Sequence, residues 1–266
     1  MTFEPGTPPA DADDHLLAGW LAETAGRRLL EVRGEGLEGR ELKDAGDLAA
    51  HDLLMSLLAE HRPGDAVLSE EGKDDKVRLE RDRVWIVDPL DGTREFSEEG
   101  RTDWAVHVAL WSSDSGHPSH LAAGAVAMPA RHRTIATDYP PAYPPLPIDN
   151  AGSIRIAASR TRPPAFVTAL ADEIGAELVP MGSAGVKIAA VINGEADAYV
   201  HAGGQYEWDS AAPVAVALAT GLHASRIDGS ALKYNEADPK LPDLVVCRKD
   251  LAPRLLAALQ RHLPSE

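Results

Sequence analysis

The segment VWIVDPLDGTREF, residues 84–96, runs from an apolar strand straight into two carboxylates, Asp88 and Asp91, with Gly92 and Thr93 behind them. A strand apolar enough to be buried carries its end acids into a low dielectric, where like charges repel strongly unless a cation neutralises them. Gly92 and Thr93 offer close backbone approach and free N–H groups, a nest suited to an anion. In LSEEG, Glu70 and Glu71 sit at the tip of a neighbouring strand, and either could reach the same cation. In YEWDSAAPVAVALA, Asp209 opens an apolar helix, either as a plain N-cap or as a ligand aimed into a site. For any single Asp, capping a turn is the ordinary role; these features together favour a site. Oxygen donors without Cys or clustered His select Mg²⁺ or Mn²⁺ over zinc. Such ions partner phosphate groups, and two of them can generate a hydroxide nucleophile and stabilise a leaving oxygen. The residues alone point to metal-assisted phosphoester hydrolysis.

Periodicity supplies the elements that must position these residues. Leu17, Trp20, Leu21, Ala25, Leu29 and Val32 predict an amphipathic helix over 14–33, and DLAAHDLLMSLLAEH predicts a second over 47–61, with Asp47 at its start and Pro63-Gly64 as its stop. Strands are expected at 66–71, 83–89, 103–111, 121–130 and 131–139. This is an α+β lobe, residues 1–148, carrying the metal site. YPPAYPPLP, 139–147, holds five prolines in nine positions, which excludes helix interior and central strand, and it marks the lobe boundary. Beyond it, strands at 155–159, 176–182, 196–202, 223–227 and 244–248 intersperse with helices at 163–174, 183–194, 209–221 and 251–263. The alternation predicts a layered α/β lobe, 149–266, that contributes Asp209.

Composition narrows the partners. A chain of 266 residues can bury a full core as one large domain or two packed lobes. Its formal charge of -16 argues against nucleic acid, whose phosphates would meet a field of their own sign. The single cysteine, Cys247 in LVVC, excludes an intrachain disulfide or thiolate cluster and reads as a buried thiol. No run approaches the roughly 18 apolar residues that cross a membrane, and the N-terminus lacks the look of a secretion signal, so a cytoplasmic place is expected. Gly34, Gly36 and Gly39 in GEGLEG match the spacing of a dinucleotide loop, but a helix precedes them and polar, aperiodic sequence follows, so a surface loop is expected.

The ordered set KDAGD, LSEEG, DPLDGT and WDSAA, spread over roughly residues 14–250, resembles the lithium-sensitive, magnesium-dependent phosphatases of the inositol monophosphatase family. That family includes fructose-1,6-bisphosphatase and 3'-phosphoadenosine 5'-phosphate phosphatase, and the resemblance implies a layered αβαβα sandwich forming one unit over 1–266. Leu90, the Arg94-Glu95-Phe96 continuation and GSAGVK (182–187) look closest to its CysQ-type nucleotidases of sulfate assimilation; inositol phosphatases more often carry Ile and Thr-Asn-Phe there. The implied activity is Mg²⁺-dependent 3'(2'),5'-bisphosphate nucleotidase, releasing AMP from 3'-phosphoadenosine 5'-phosphate. A broad inositol or fructose phosphatase is the alternative, and a non-catalytic metal or nucleotide sensor the alternative of another class.

Residue by residue, the resemblance implies that Glu70 and Asp88 with the Leu90 carbonyl hold a first Mg²⁺. Asp88, Asp91 and Asp209 hold a second, and a third, weaker ion shares Glu70 with water. Mn²⁺ is a substitute and Li⁺ an inhibitor. Thr93 orients the attacking water with Asp47 as its base. Gly92 and Thr93 bind the transferred phosphate, Gly182, Ser183 and Lys187 the remainder of the substrate, and Glu70, Leu90, Asp91 and Asp209 border it. A homodimer is also implied. Two departures matter. KDAGD lacks the family's usual Thr three residues before the base, which makes Asp44 a competitor of Asp47, and Ala202 stands seven before Asp209, where inositol phosphatases carry a substrate-binding Glu. A solvated helix face is the competing role for Lys187. Trp104 and Tyr206 are candidates to stack on a base, with packing as their competing role.

Overall fold

The computed structural model describes residues 6–9, 11–144, 153–161 and 163–262. Two five-stranded sheets organise it. The first runs β1-β2-β3-β4-β5, from Ala66–Ser69, Arg83–Asp91, Ala105–Ser112, Leu121–Met128 and Arg133–Ala136, with only the β1/β2 pair parallel. The second runs β7-β6-β8-β10-β9, from Ala176–Met181, Ile154–Ser159, Ala198–Tyr206, Lys240–Cys247 and His223–Ser225; β6 is parallel to both its neighbours and β10 antiparallel to both of its own.

Three apolar clusters glue five layers together. Helices α1 (Asp14–Arg33) and α2 (Gly39–His61) bury Leu21, Leu29, Leu54 and Leu58 on the Trp85 and Val87 face of the first sheet. The opposite face, with Val84 and Ile86, packs through α5 (Ala184–Ile192) and α6 (Glu207–Thr220) onto the second sheet. The outer face of that sheet is covered by α4 (Ala165–Ile174) and α7 (Ala252–His262). The result is the αβαβα sandwich, in which period-two alternation makes β2 apolar on both faces.

Several elements differ from their sequence boundaries. α2 begins at Gly39 rather than Asp47, so GRELKDAG is helix and not loop, and Asp47 sits mid-helix; Leu42, Gly46 and Ala50 repeat at helical spacing there, thinned by polar neighbours. β8 runs on to Tyr206 and β10 starts at Lys240, because the two pair with each other far into polar sequence. The proline-rich boundary falls partly outside the described residues; Tyr139–Pro144 carry no regular structure.

Within β2 the register to β3 shifts between Asp88, which pairs with His107, and Asp91, which pairs with Ala105. Residues three apart on a regular strand face opposite sides. The one-residue bulge at Pro89-Leu90 reverses that parity and puts both acids on the same side.

Candidate active site

Asp88 is 1% exposed and accepts a hydrogen bond from Leu90 N at 3.0 Å. Burial first, then the charges of Glu70, Asp91 and Asp209, push its carboxyl well above the usual range. Asp91 is also buried, but compensated. Its Oδ2 accepts from Ser183 Oγ at 2.5 Å and Gly185 N at 2.7 Å, and His107 Nε2 lies 3.2 Å away without hydrogen-bond alignment. Burial would raise Asp91; His107, Ser183 and Lys187 outweigh it and hold the group at about 2. Asp209, in the first turn of α6, accepts from Tyr206 N at 2.6 Å and is raised to about 7 by burial and then by Asp91. One oxygen from each of Asp88, Asp91 and Asp209 lies within 4.8 Å of the others.

Glu70 follows β1, extends its pairing through Glu70 N to Val87 O at 3.4 Å, and is exposed, outside the trio of acids whose oxygens meet. Desolvation by the protein around it is opposed by a hydrogen bond to Asp88, but the charges of Asp91, Glu71 and Asp47 help carry it to about 7. These groups fit a hard divalent cation. The donors are all oxygen, the acids outnumber the cations beside them, and among the described residues Asp88 has no ion-pair partner, so a bound ion removes the repulsion that raises these carboxyls.

Asp47 is half-buried on α2 and hydrogen-bonds the Thr93 side chain; burial, then Glu71 and Asp44, raise it to about 7. Thr93 Oγ1 also lies 3.2 Å from the Leu90 carbonyl, so two acceptors compete for its one proton. Asp44 points elsewhere: its carboxylate, 67% exposed, pairs with Arg40 at 3.4 Å. Gly92 takes φ +89°, a left-handed turn that starts the short helix α3 (Thr93–Ser97), and a Cβ there would crowd Asp103 O and Ser183 Cβ at 3.2 Å.

α5 arrives against this strand end. Gly185 permits it, since a Cβ would stand 1.9 Å from His107 Nε2. Gly182 N donates to Asp103 at 2.6 Å, and the Ser183 hydroxyl donates to Asp91, so both predicted substrate contacts are already spent on the scaffold. Lys187 is no solvated helix face. It is 7% exposed, donates to Ser183 O at 2.7 Å, and lies 5.5 Å from the Tyr199 ring. Burial lowers it, against the pull of Asp91 and Glu95. Lys187, Ser183, Arg94 and Arg160 line a cleft of about 380 Å³. Trp104 is packing: fully buried, edge-on to Phe96 at 5.0 Å. Tyr206 stacks on Trp208 at 4.6 Å and borders a separate, larger cleft.

Residues that sequence reasoning passed over also shape the site. His107, fully buried in β3, neutralises Asp91 and hydrogen-bonds Trp208 O at 3.0 Å; the one signal for it was a lone imidazole inside the apolar DWAVHVALW. Asp103 pins the turn before α5, and Arg160 joins Glu95 and Glu98 at the cleft rim.

Comparison with known proteins places this architecture. 3'-Phosphoadenosine 5'-phosphate phosphatase of Mycobacterium leprae is 51% identical over 257 residues, 94% of this chain and 95% of that protein. The protein of the same name from Mycobacterium tuberculosis is 53% identical over 237 residues, 88% and 89% of the two. Among solved structures, CysQ from Bacteroides thetaiotaomicron, described as a bacterial member of the inositol monophosphatase family, superposes with a TM-score of 0.72 at 26% identity, covering 88% of this chain and 96% of that one. The family model for the inositol monophosphatase family matches residues 17–263, and with these relatives it establishes that the chain belongs to that metal-dependent phosphatase family.

Proposed function

We propose that the protein is a Mg²⁺-dependent 3'(2'),5'-bisphosphate nucleotidase that hydrolyses 3'-phosphoadenosine 5'-phosphate to AMP and phosphate. The observation that carries the reading is the juxtaposition of an acid cluster, Asp88, Asp91 and Asp209, with a buried cation, Lys187, across the α5 turn. One pole suits metal and the transferred phosphate; the other suits a second phosphate, which a bisphosphate has and a monophosphate lacks. The activity named for the Mycobacterium leprae and Mycobacterium tuberculosis relatives supports it.

Glu70, Asp88, Asp91, Asp209 and the Leu90 carbonyl would hold two or three divalent ions. Bound there, the ions supply Lewis acidity that lowers the pKa of water and offsets charge on the phosphoryl and leaving oxygens. The chain's own groups do the rest. Thr93 Oγ1 accepts a hydrogen bond from the attacking water while its own proton turns to Asp47, whose raised pKa of about 7 suits a base working near neutrality. The water oxygen joins phosphorus in line, the P–O3' bond breaks, the proton lost by water rests on the Thr93-Asp47 pair, and the leaving O3' takes a proton from solvent water to become the hydroxyl of AMP. N–H groups around Gly92 and Thr93 meet the phosphate. Lys187 leaves Ser183 O for the second phosphate, with Arg94 at the cleft edge. Ala202, half-buried where inositol phosphatases carry Glu, removes an acceptor for sugar hydroxyls.

Turnover of adenosine bisphosphate, inositol 1-phosphate and fructose 1,6-bisphosphate, compared with Mg²⁺ present, tests the assignment. A dominant kcat/KM for the adenosine substrate is expected, with inhibition by Li⁺; negligible hydrolysis of it would assign a sugar phosphatase instead.

A further inference from the structure

Between β1 and β2 the chain makes one 3-10 turn, Val77–Glu80, and inside it Arg78 is 1% exposed. A guanidinium that deep must have its donors matched. Nε and Nη2 each donate to Asp74 at 3.0 Å, Nη1 donates to Asn235 Oδ1 at 2.7 Å, and Nη2 also reaches the Glu236 carbonyl at 2.8 Å. From the other side Glu207, the first residue of α6 and also 1% exposed, accepts from Asn235 N at 2.7 Å and Glu236 N at 2.8 Å. The 235–236 turn is therefore a peg between two segments distant in sequence: the loop that begins at Glu70 and the helical turn that carries Asp209.

Those two segments bear like charges within each other's field, and Asp88 adds to both. Repulsion drives the loop and the start of α6 apart; the Arg78-Asn235-Glu207 tie resists it. A stability role alone would be met as well by apolar residues of similar size, since buried ion networks give little net stabilisation. We propose that Arg78 and Glu207 are positioning residues, which hold Glu70 and Asp209 in cation-binding register before any cation arrives. Neither touches the substrate or the acid cluster, so both act through the segments they tie. The proposal rests on the reading that the cluster holds a divalent ion.

Direct Mn²⁺ binding to the full-length protein, followed by electron paramagnetic resonance without substrate, tests it. Arg78→Met and Glu207→Gln are expected to raise the Mn²⁺ dissociation constant on the order of tenfold, with the KM for Mg²⁺ rising in step and that for substrate far less. Arg78→Lys is expected to recover part of the affinity. Arg155→Met, which breaks the pair between Arg155 of β6 and Asp197 just before β8, lowers Tm and leaves Mn²⁺ affinity unchanged. Folded Arg78→Met or Glu207→Gln with wild-type Mn²⁺ affinity overturns the positioning role; if Arg78→Met does not fold, Glu207→Gln and Arg78→Lys decide it. Wild-type protein that binds no Mn²⁺ overturns the metal reading itself, and the positioning role with it.

Discussion

The two ends of β2 carry charge in opposite ways. At the Arg83 end, Arg83 donates to Asp65 at 2.9 Å and to Asp14 at 3.0 Å, Arg62 joins Asp14 at 2.9 Å, and Trp85 Nε1 donates to Asp65 at 2.9 Å. Two cations meet two acids, and the network ties the starts of α1, β1 and β2 together. At the Asp88 end, Glu70, Asp88, Asp91 and Asp209 converge with Asp47 nearby, and the buried cations that pull on this cluster are His107 and Lys187. A balanced network completes the fold by itself. A surplus of one sign is finished only by a ligand.

The sharpest way to break the comparison lies inside the acid cluster. Asp88→Asn and Asp91→Asn are both expected to cut turnover, read as phosphate release, by on the order of 10³-fold or more, while thermal unfolding in EDTA separates them. Asn at 88 mimics the protonated carboxyl that burial already imposes, so the metal-free variant is at least as stable as wild type. Asp91 is ionised against His107, Ser183 and Gly185, so its loss costs roughly 1–3 kcal/mol. Equal stability effects would erase the distinction between compensated and uncompensated acid. Smaller in kinetics is Asp47→Asn, expected to lower kcat by about 10²-fold with Mg²⁺ affinity nearly unchanged. Asp44→Asn stays near wild type, and a comparable loss there would move the base.

At the balanced end the effect is thermodynamic. Arg83→Met leaves Asp14 with Arg62 and Asp65 with only the Trp85 indole, and urea unfolding is expected to show roughly 1–3 kcal/mol lost, with kcat/KM per folded molecule unchanged. A kinetic defect would mean that the two ends of the strand are coupled.

How far the sequence could foresee this difference depends on the element. Asp88 and Asp91 were legible because an apolar run ending in acids is costly however the chain folds. That they share a side was not, because strand alternation argues against it, and the bulge that reverses the parity depends on pairing with β3. Asp209 could be read as ligand or cap; it is not the N-cap but the third residue of α6, where it accepts from Tyr206 N while one of its oxygens stays within 4.8 Å of Asp88 and Asp91. The sequence starts α2 at Asp47 because glycines at 36 and 39 imitate a loop, whereas the burial of Leu42 and the packing of Gly46 on Phe96 and Leu90 override them. For Lys187 a solvated face competes with substrate binding in the sequence, because helix periodicity does not tell which side another sheet will cover.

The smallest expected effect is also the one that reads the whole cluster at once. Asp47, Glu70, Asp209 and Glu207 are each raised to about 7, and Asp88 is raised well above its ordinary value. A carboxyl that holds its proton more tightly when folded than when unfolded stabilises the fold fully below about pH 4, and that contribution is lost as the pH climbs through its folded value. His107, raised by its contacts with Asp91 despite burial, acts in the same sense, while His201 and His223, lowered by burial, act weakly in the other. Asp14, held down by Arg83 and Arg62 against its burial, keeps its contribution until the pH falls below its ordinary range, so the balanced end is flat between pH 5 and 8. In EDTA, Tm is therefore expected to fall from pH 5 to pH 8, by roughly 5 °C. Saturating Mg²⁺ binds the ionised cluster in the folded state alone, so it stabilises most at pH 8 and reverses the slope. A metal-free Tm that is level or rising over that interval would mean that the protein's own cations already balance the acids, and the two ends of β2 would no longer differ in kind.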